Sequence, residues 1–113
     1  MSQPFTERLE VRKQHNDFRH FKSIRVRPKG ELSIQASVYH YCTPRETYSD
    51  PKMYYTWEIA YITPKRGLVN PEWVFKDFPK NLAMVWSDGR NTVGAYVTTQ
   101  KVQEILDWLE AKK

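Results

Sequence analysis

The clearest pattern along the chain is an alternation of apolar and polar positions over residues 31–42. Its two sets are Leu32, Ile34, Ala36 and Val38 on one side and Ser33, Gln35, Ser37, Tyr39 and Tyr41 on the other. Successive side chains of a strand point to opposite faces, so the pattern predicts a long strand whose more polar face, with both tyrosines, is not covered by a helix. A shorter alternation over 23–27 predicts a second strand, with Arg25 and Arg27 on its polar face. The turn sequence Pro28-Lys29-Gly30 joins the two strands into a hairpin.

Other periodic segments predict three more strands and two helices. Strands are expected over 53–63, 82–87 and 92–97, and the Asp88-Gly89 turn makes a hairpin of the last two. Asn70-Pro71-Glu72 is typical of a helix start, and Pro79 limits this helix to about two turns, near 71–78. A final helix, capped by Thr98 or Thr99, is predicted by an apolar face of Val102, Ile105, Leu106 and Leu109. Lys112 and Lys113 would oppose the negative end of its dipole.

Residues 1–22 are the hardest segment to interpret. Phe5, Leu9, Phe18 and Phe21 allow a loose helical stripe, whereas Leu9 and Val11 between charges would equally suit a strand. We favour a helix for part of the segment, or a partly flexible arm. The elements together predict one α+β domain over 1–113. Its mostly antiparallel sheet has about five strands, and the C-terminal helix packs on one face.

Composition supports a globular chain in a reducing compartment. Of the 113 residues, 40% are hydrophobic and 27% charged, and five Phe, seven Tyr and four Trp supply large rings for a core. The single cysteine, Cys42, excludes an internal disulfide and is expected to be buried. No apolar run approaches the roughly 18 residues that span a membrane, and the N-terminus lacks a signal-peptide core, so the cytoplasm is the expected location. No cofactor is expected.

Charge is distributed unevenly along the chain. Residues 1–29 contain eight Lys/Arg and three Asp/Glu, a surplus of five that equals the net charge of +5 of the whole chain. Such asymmetry favours an anionic partner. The expected function is therefore a non-catalytic binding module that contacts nucleic acid through a basic N-terminal face. The residues expected to neutralise phosphates or stack on bases are Arg12, Lys13, Arg19, Lys22, Arg25, Arg27, Lys29, Tyr39 and Tyr41.

A protein-binding adaptor or inhibitor is the main alternative function. Two proline-containing loops and their flanks carry residue types that dominate protein interfaces. These are Arg45, Tyr48, Tyr54, Arg66 and Trp73. An acidic protein surface would be the partner in that case, and an unpaired sheet edge would also permit a homodimer.

Catalytic chemistry is a third alternative, in the form of a small metal-independent ribonuclease. His15, His20 and His40 are the candidate acid–base groups, although their spacing does not fix a common geometry. A metal nuclease is excluded, because Ala60 stands where the lysine expected beside Asp50 and Glu58 would be. No His or Cys cluster has zinc-ligand spacing. Asp88-Gly89-Arg90 is simpler as a turn than as a phosphate loop, since no Gly-Lys-Ser/Thr follows it.

Overall fold

A central sheet with a C-terminal helix is the main feature of the computed structural model, which describes residues 3–26, 30–86 and 93–111. The strands are β1 (Val11–His15), β2 (Phe18–Phe21), β3 (Ile24–Arg25), β4 (Glu31–Gln35), β5 (Thr56–Thr63), β6 (Gly67–Leu68) and β7 (Gly94–Thr98). The helices are α1 (Lys80–Ala83) and α2 (Thr99–Ala111), and short 3-10 helices occupy Phe5–Glu7, Pro51–Met53, Pro71–Trp73 and Met84–Trp86. The predicted α+β class is confirmed, as are the antiparallel sheet of about five strands and the C-terminal helix.

The longest strand, β5, organises the five-stranded sheet. On one side it pairs with β4, so that Leu32 lies opposite Tyr61 and Ile34 opposite Ile59, and β3 pairs with β4 beyond. On the other side β5 pairs first with β7 and then with β6. All these pairings are antiparallel, and β1 and β2 form a separate two-stranded hairpin.

Helix α2 covers one face of this sheet with the predicted apolar stripe. Val102, Ile105, Leu106 and Leu109 are completely buried, which confirms the helical period. The Thr98 hydroxyl accepts a hydrogen bond from the Lys101 amide at 3.2 Å, so Thr98 is the N-cap. A bidentate ion pair of 2.8 Å between Arg8 and Glu110 connects the N-terminal segment to this helix.

The expected helix within residues 1–22 is wrong. This segment forms a short 3-10 helix at Phe5–Glu7, followed by the hairpin of β1 and β2. The five residues of β1 are all exposed, so their sequence has no alternation of apolar and polar residues that would predict a strand. Of these two strands only β2 shows alternation, with Arg19 and Phe21 buried and Phe18 and His20 half-buried.

The strand predicted over 31–42 ends early, at Gln35. The cause is a turn around Ser37, whose hydroxyl accepts a hydrogen bond from the Tyr39 amide at 3.1 Å while its carbonyl accepts one from the His40 amide. The expectation that its polar face is open is also wrong, because Ser33, Gln35 and Ser37 are buried. The Gln35 amide donates to the Phe21 carbonyl and accepts from the Phe21 amide, which fastens β2 alongside β4.

Two predictions around Pro79 also need correction. Residues 82–86 are not a strand, because the Pro79 carbonyl accepts hydrogen bonds from the Leu82 and Ala83 amides and begins α1. The helix expected near 71–78 is reduced to the 3-10 helix Pro71–Trp73, although Asn70 caps it as predicted. The turn at Asp88-Gly89 and the terminal Lys112 and Lys113 lie outside the described residues. Within the described ranges, no helix is long and apolar enough to cross a bilayer.

Candidate nucleic-acid interface

The hairpin of β1 and β2 presents two side chains on the outside of the fold. Because β2 alternates, Phe18 and His20 point away from the core into which Arg19 and Phe21 are packed. The phenyl ring of Phe18 and the imidazole of His20 are nearly parallel, with their centroids 6.5 Å apart. The hairpin therefore brings an aromatic ring and a histidine to one outer position.

The turn around Ser37 brings three more rings to the same region. The Ser37 hydroxyl lies 2.7 Å from Nδ1 of His40 and fixes that imidazole, which is only 8% exposed. Tyr39 and Tyr41 flank His40 in sequence and are 62% and 48% exposed. Their predicted exposure is confirmed, but it arises from this turn and not from an uncovered strand face.

Ring contacts form two groups among these residues, which together we call the aromatic–histidine surface. Its members are Phe18, His20, Tyr39, His40, Tyr41 and Tyr96. The Phe18 ring lies 6.0 Å from the Tyr39 ring and 6.4 Å from the His40 ring, and the two imidazoles are 6.2 Å apart. The Tyr41 and Tyr96 rings form a second group, 5.9 Å apart.

Glu58 of β5 connects the two groups of rings. Its carboxylate accepts a hydrogen bond of 3.0 Å from the Tyr41 amide, and its charge acts on both imidazoles. The Tyr41 carbonyl in turn accepts a hydrogen bond from the Tyr96 amide at 3.1 Å. Tyr96 has a φ of 55°, an uncommon conformation for an aromatic residue, beside an irregularity in the pairing of β5 with β7. Backbone strain of this kind is concentrated at functional sites.

Burial lowers the pKa of both histidines on this surface. For His20 the next cause is the positive charge of Arg12, and for His40 the charges of His20, Arg19 and Arg45 also lower the pKa. The carboxylate of Glu58 opposes these effects and raises the pKa of each imidazole. The two rings are therefore mostly neutral at pH 7 and become cations only at a lower pH than an ordinary histidine.

The predicted basic residues differ in their surroundings. Arg12 and Lys13 are exposed on β1, and Lys13 lies opposite His20 in the hairpin register. Lys22 forms an ion pair of 3.5 Å with Glu10, and Arg25 lies opposite Glu31. Arg27 and Lys29 lie outside the described residues.

Arg19 is the clearest departure from the predicted basic face. It is 2% exposed, and its guanidinium donates hydrogen bonds inside the protein, so it is not available to a partner at the surface. Arg45 is a cation that we assigned only to the alternative protein-binding set. It is exposed, with its guanidinium carbon 5.2 Å from the centroid of the Tyr41 ring.

Four of the five residues of the alternative protein-binding set form two contacting pairs. Tyr54 is buried, and Tyr48 is half-buried against it, with ring centroids 5.6 Å apart. Arg66 donates a hydrogen bond of 2.8 Å to the carbonyl of Trp73, which is 56% exposed. This pair follows the far end of β5, whereas Arg45 lies beside the aromatic–histidine surface, over the ring of Tyr41.

The other chemical candidates are reduced to one pair of histidines. His15 is exposed at the end of β1, whereas His20 and His40 are in contact. Cys42 is buried, burial raises the pKa of its thiol, and the sulfur donates to the Ser37 carbonyl at 3.4 Å, so it is a structural residue. Among the described residues, no three His, Cys, Asp or Glu side chains are placed to hold a metal ion.

Comparison with protein-family models, curated proteins and solved structures gives no significant match to this chain. Sequence reasoning missed Phe18, Glu58 and Tyr96 as members of the site. The positive φ of Tyr96 and the contacts of Glu58 arise from tertiary structure and leave no local signal in the sequence.

Proposed function

We propose that this protein binds single-stranded nucleic acid through the aromatic–histidine surface and the cations beside it. The observation that carries the proposal is the exposed Tyr41–Tyr96 ring pair with the Arg45 guanidinium placed against Tyr41. Exposed rings stack on unpaired bases whatever the base, and an arginine beside them can pair with the phosphate between two bases. A duplex keeps its bases stacked on one another and offers these rings no partner.

Charge around the rings supports the same assignment. Arg45 lies at the tyrosine pair, and Arg12 is near enough to His20 to lower the pKa of that imidazole. Lys13 adds a third cation on the same hairpin. The phosphate-binding set is therefore smaller than the basic segment suggests, and it lies around the rings instead of along the first 29 residues.

The experiment is a titration followed by fluorescence anisotropy. The probe is a labelled DNA single strand of about ten nucleotides, which is within the usual site size, and the matched control is the same sequence as a duplex. We expect tighter binding of the single strand. With three phosphates neutralised, log affinity should change with log salt at a slope of about −2, which is roughly an 18-fold loss between about 50 and 200 mM salt.

Two variants refine this titration. Arg45→Gln and Arg12→Gln should each make the salt slope shallower by about 0.7. Arg66→Gln removes a cation that lies beside Trp73 and should leave the slope unchanged. Equal binding of single strand and duplex, or no binding at low salt, would refute the proposal. Recovery of one stoichiometric protein partner in its place would favour the adaptor function.

A further inference from the structure

The His20–His40 pair is not needed for stacking, and its geometry suits a different task. The ring centroids are 6.2 Å apart, and Phe18, which packs against both imidazoles, also contacts the exposed ring of Tyr39 on the proposed strand-binding surface. General acid–base catalysis needs two titratable groups, each within about 3 Å of the oxygen whose proton it moves. Two imidazoles at this separation can flank one phosphodiester, one at the attacking oxygen and the other at the leaving oxygen.

The surroundings of the pair hold it in position for such a role. The Ser37 hydroxyl fixes His40 through Nδ1 at 2.7 Å, which leaves Nε2 as the nitrogen for a substrate. Phe18 packs near both imidazoles, at 6.5 and 6.4 Å, and partly removes them from water. Nδ1 of His20 is buried and has no hydrogen-bond partner among the described residues, so Nε2 is the nitrogen of His20 that would face a substrate. Fixed, partly desolvated groups are the arrangement in which electrostatic catalysis is strongest.

We infer that the His20–His40 pair cleaves bound RNA by transfer of the phosphodiester to the neighbouring 2′-hydroxyl. This inference rests on the proposed function, because the strand has to be held on the aromatic–histidine surface. A neutral imidazole accepts the proton of the 2′-hydroxyl while O2′ forms a bond to phosphorus. The bond from phosphorus to O5′ breaks, and the imidazolium of the pair gives its proton to O5′. The products are a 2′,3′-cyclic phosphate and a 5′-hydroxyl, and no other reactant is consumed.

Charged residues near the His20–His40 pair support its two roles, as general base and as general acid. Arg12 acts on His20 and Arg45 on His40, so each imidazole has a cation near it to stabilise the phosphate as its negative charge grows. Glu58 acts on both imidazoles and stabilises the one that is protonated. Glu58 is thus a positioning residue, and DNA, which lacks the 2′-hydroxyl, is bound but is not a substrate.

The pH dependence of cleavage follows from the pKa directions. Cleavage needs one neutral and one protonated imidazole, so its rate is greatest between the two pKa values of the coupled pair. Burial lowers the pKa of both imidazoles from the ordinary value of 6.5. The charge of Arg12 lowers the pKa of His20 further, and the charges of Arg19 and Arg45 lower that of His40. The carboxylate of Glu58 opposes the shift in each. The rate should therefore pass through a maximum below pH 6.5 and fall as the pH rises through neutrality.

The test uses the whole chain, EDTA in the buffer and a labelled RNA single strand. Mass spectrometry should find cyclic phosphate and 5′-hydroxyl ends. His20→Gln and His40→Asn should each lower the rate at least about 100-fold, while His15→Gln, an exposed histidine at the end of β1, retains the wild-type rate. His20 is half-buried and its variant is decisive if His40→Asn does not fold.

The outcomes separate this inference from the proposed function. Binding of the DNA strand without cleavage of RNA overturns the inference and leaves the binding function intact. Loss of binding to both strands overturns both. Cleavage that persists in His20→Gln, or a rate that rises steadily into alkaline pH, also overturns the assignment of the pair.

Discussion

Arg19→Met should lower the free energy of unfolding by about 2–5 kcal/mol, although it removes a charge from the interior. The Arg19 guanidinium donates hydrogen bonds to the carbonyls of Tyr48 and Ala36 and to the Tyr54 hydroxyl. It also lies 4.3 Å from the centroid of the Phe21 ring. Methionine has a similar length but no donor, so two buried carbonyls lose their partner, at about 1–3 kcal/mol each.

Urea unfolding measures this effect, and the m value should stay constant. Arg12→Met is the matched control, because Arg12 is exposed on β1 and its loss should change stability by less than about 0.5 kcal/mol. Arg19→Lys should also destabilise, since one ammonium cannot reproduce the fork that reaches both carbonyls. Buried charges are sometimes replaced by apolar residues with a gain in stability. Such a gain for Arg19→Met would mean that Arg19 does not hold the hairpin to the 36–54 segment.

Gly30→Ala should lower stability by about 2–5 kcal/mol, from two independent causes. Gly30 has a φ of 98°, which L side chains rarely adopt. A Cβ atom there would lie 2.8 Å from Cε1 of Tyr61 and 2.9 Å from the Ile62 carbonyl oxygen. Tyr61 is fully buried, so its ring has no free space into which it can move.

Gly67→Ala separates these two causes. Gly67 also has a positive φ, 65°, but a Cβ there would meet no atom within 4 Å. Its substitution carries only the conformational cost, about 1–2 kcal/mol. Thermal or urea unfolding should therefore rank the wild type above Gly67→Ala and Gly67→Ala above Gly30→Ala. Equal losses in the two variants would show that the contact with Tyr61 relaxes freely.

The sequence predicts well those elements whose pattern of buried residues can be recognised within one short segment. Helix α2 has one apolar stripe and a threonine cap, so period and capping agree. The sequence does not predict the hairpin of β1 and β2, because both faces of β1 are exposed and no alternation of buried and exposed positions marks the strand. The sequence marks Pro79 only as the end of a helix, whereas its carbonyl also begins α1.

For the candidate site too, the sequence predicts what depends on single residues and misses what depends on tertiary contacts. Tyr39 and Tyr41 were recognisable as exposed aromatics, although the reason given was an open strand face. Arg19 was counted as a surface cation, since nothing near it in sequence reveals the carbonyls of Ala36 and Tyr48 that satisfy it. The contact of His20 with His40 joins β2 to the Ser37 turn and depends on a register that the sequence does not specify.

The most direct test of the aromatic–histidine surface compares two aromatic truncations in the single-strand titration. Tyr41→Ala removes a ring that is 48% exposed within the surface, and Trp73→Ala removes a larger ring that is 56% exposed beyond the far end of β5. Stacking on one base contributes about 1–3 kcal/mol, so Tyr41→Ala should weaken binding about 5- to 150-fold, and Trp73→Ala should bind like the wild type. Wild-type affinity in Tyr41→Ala, or an equal loss in Trp73→Ala, would contradict the assignment of this surface.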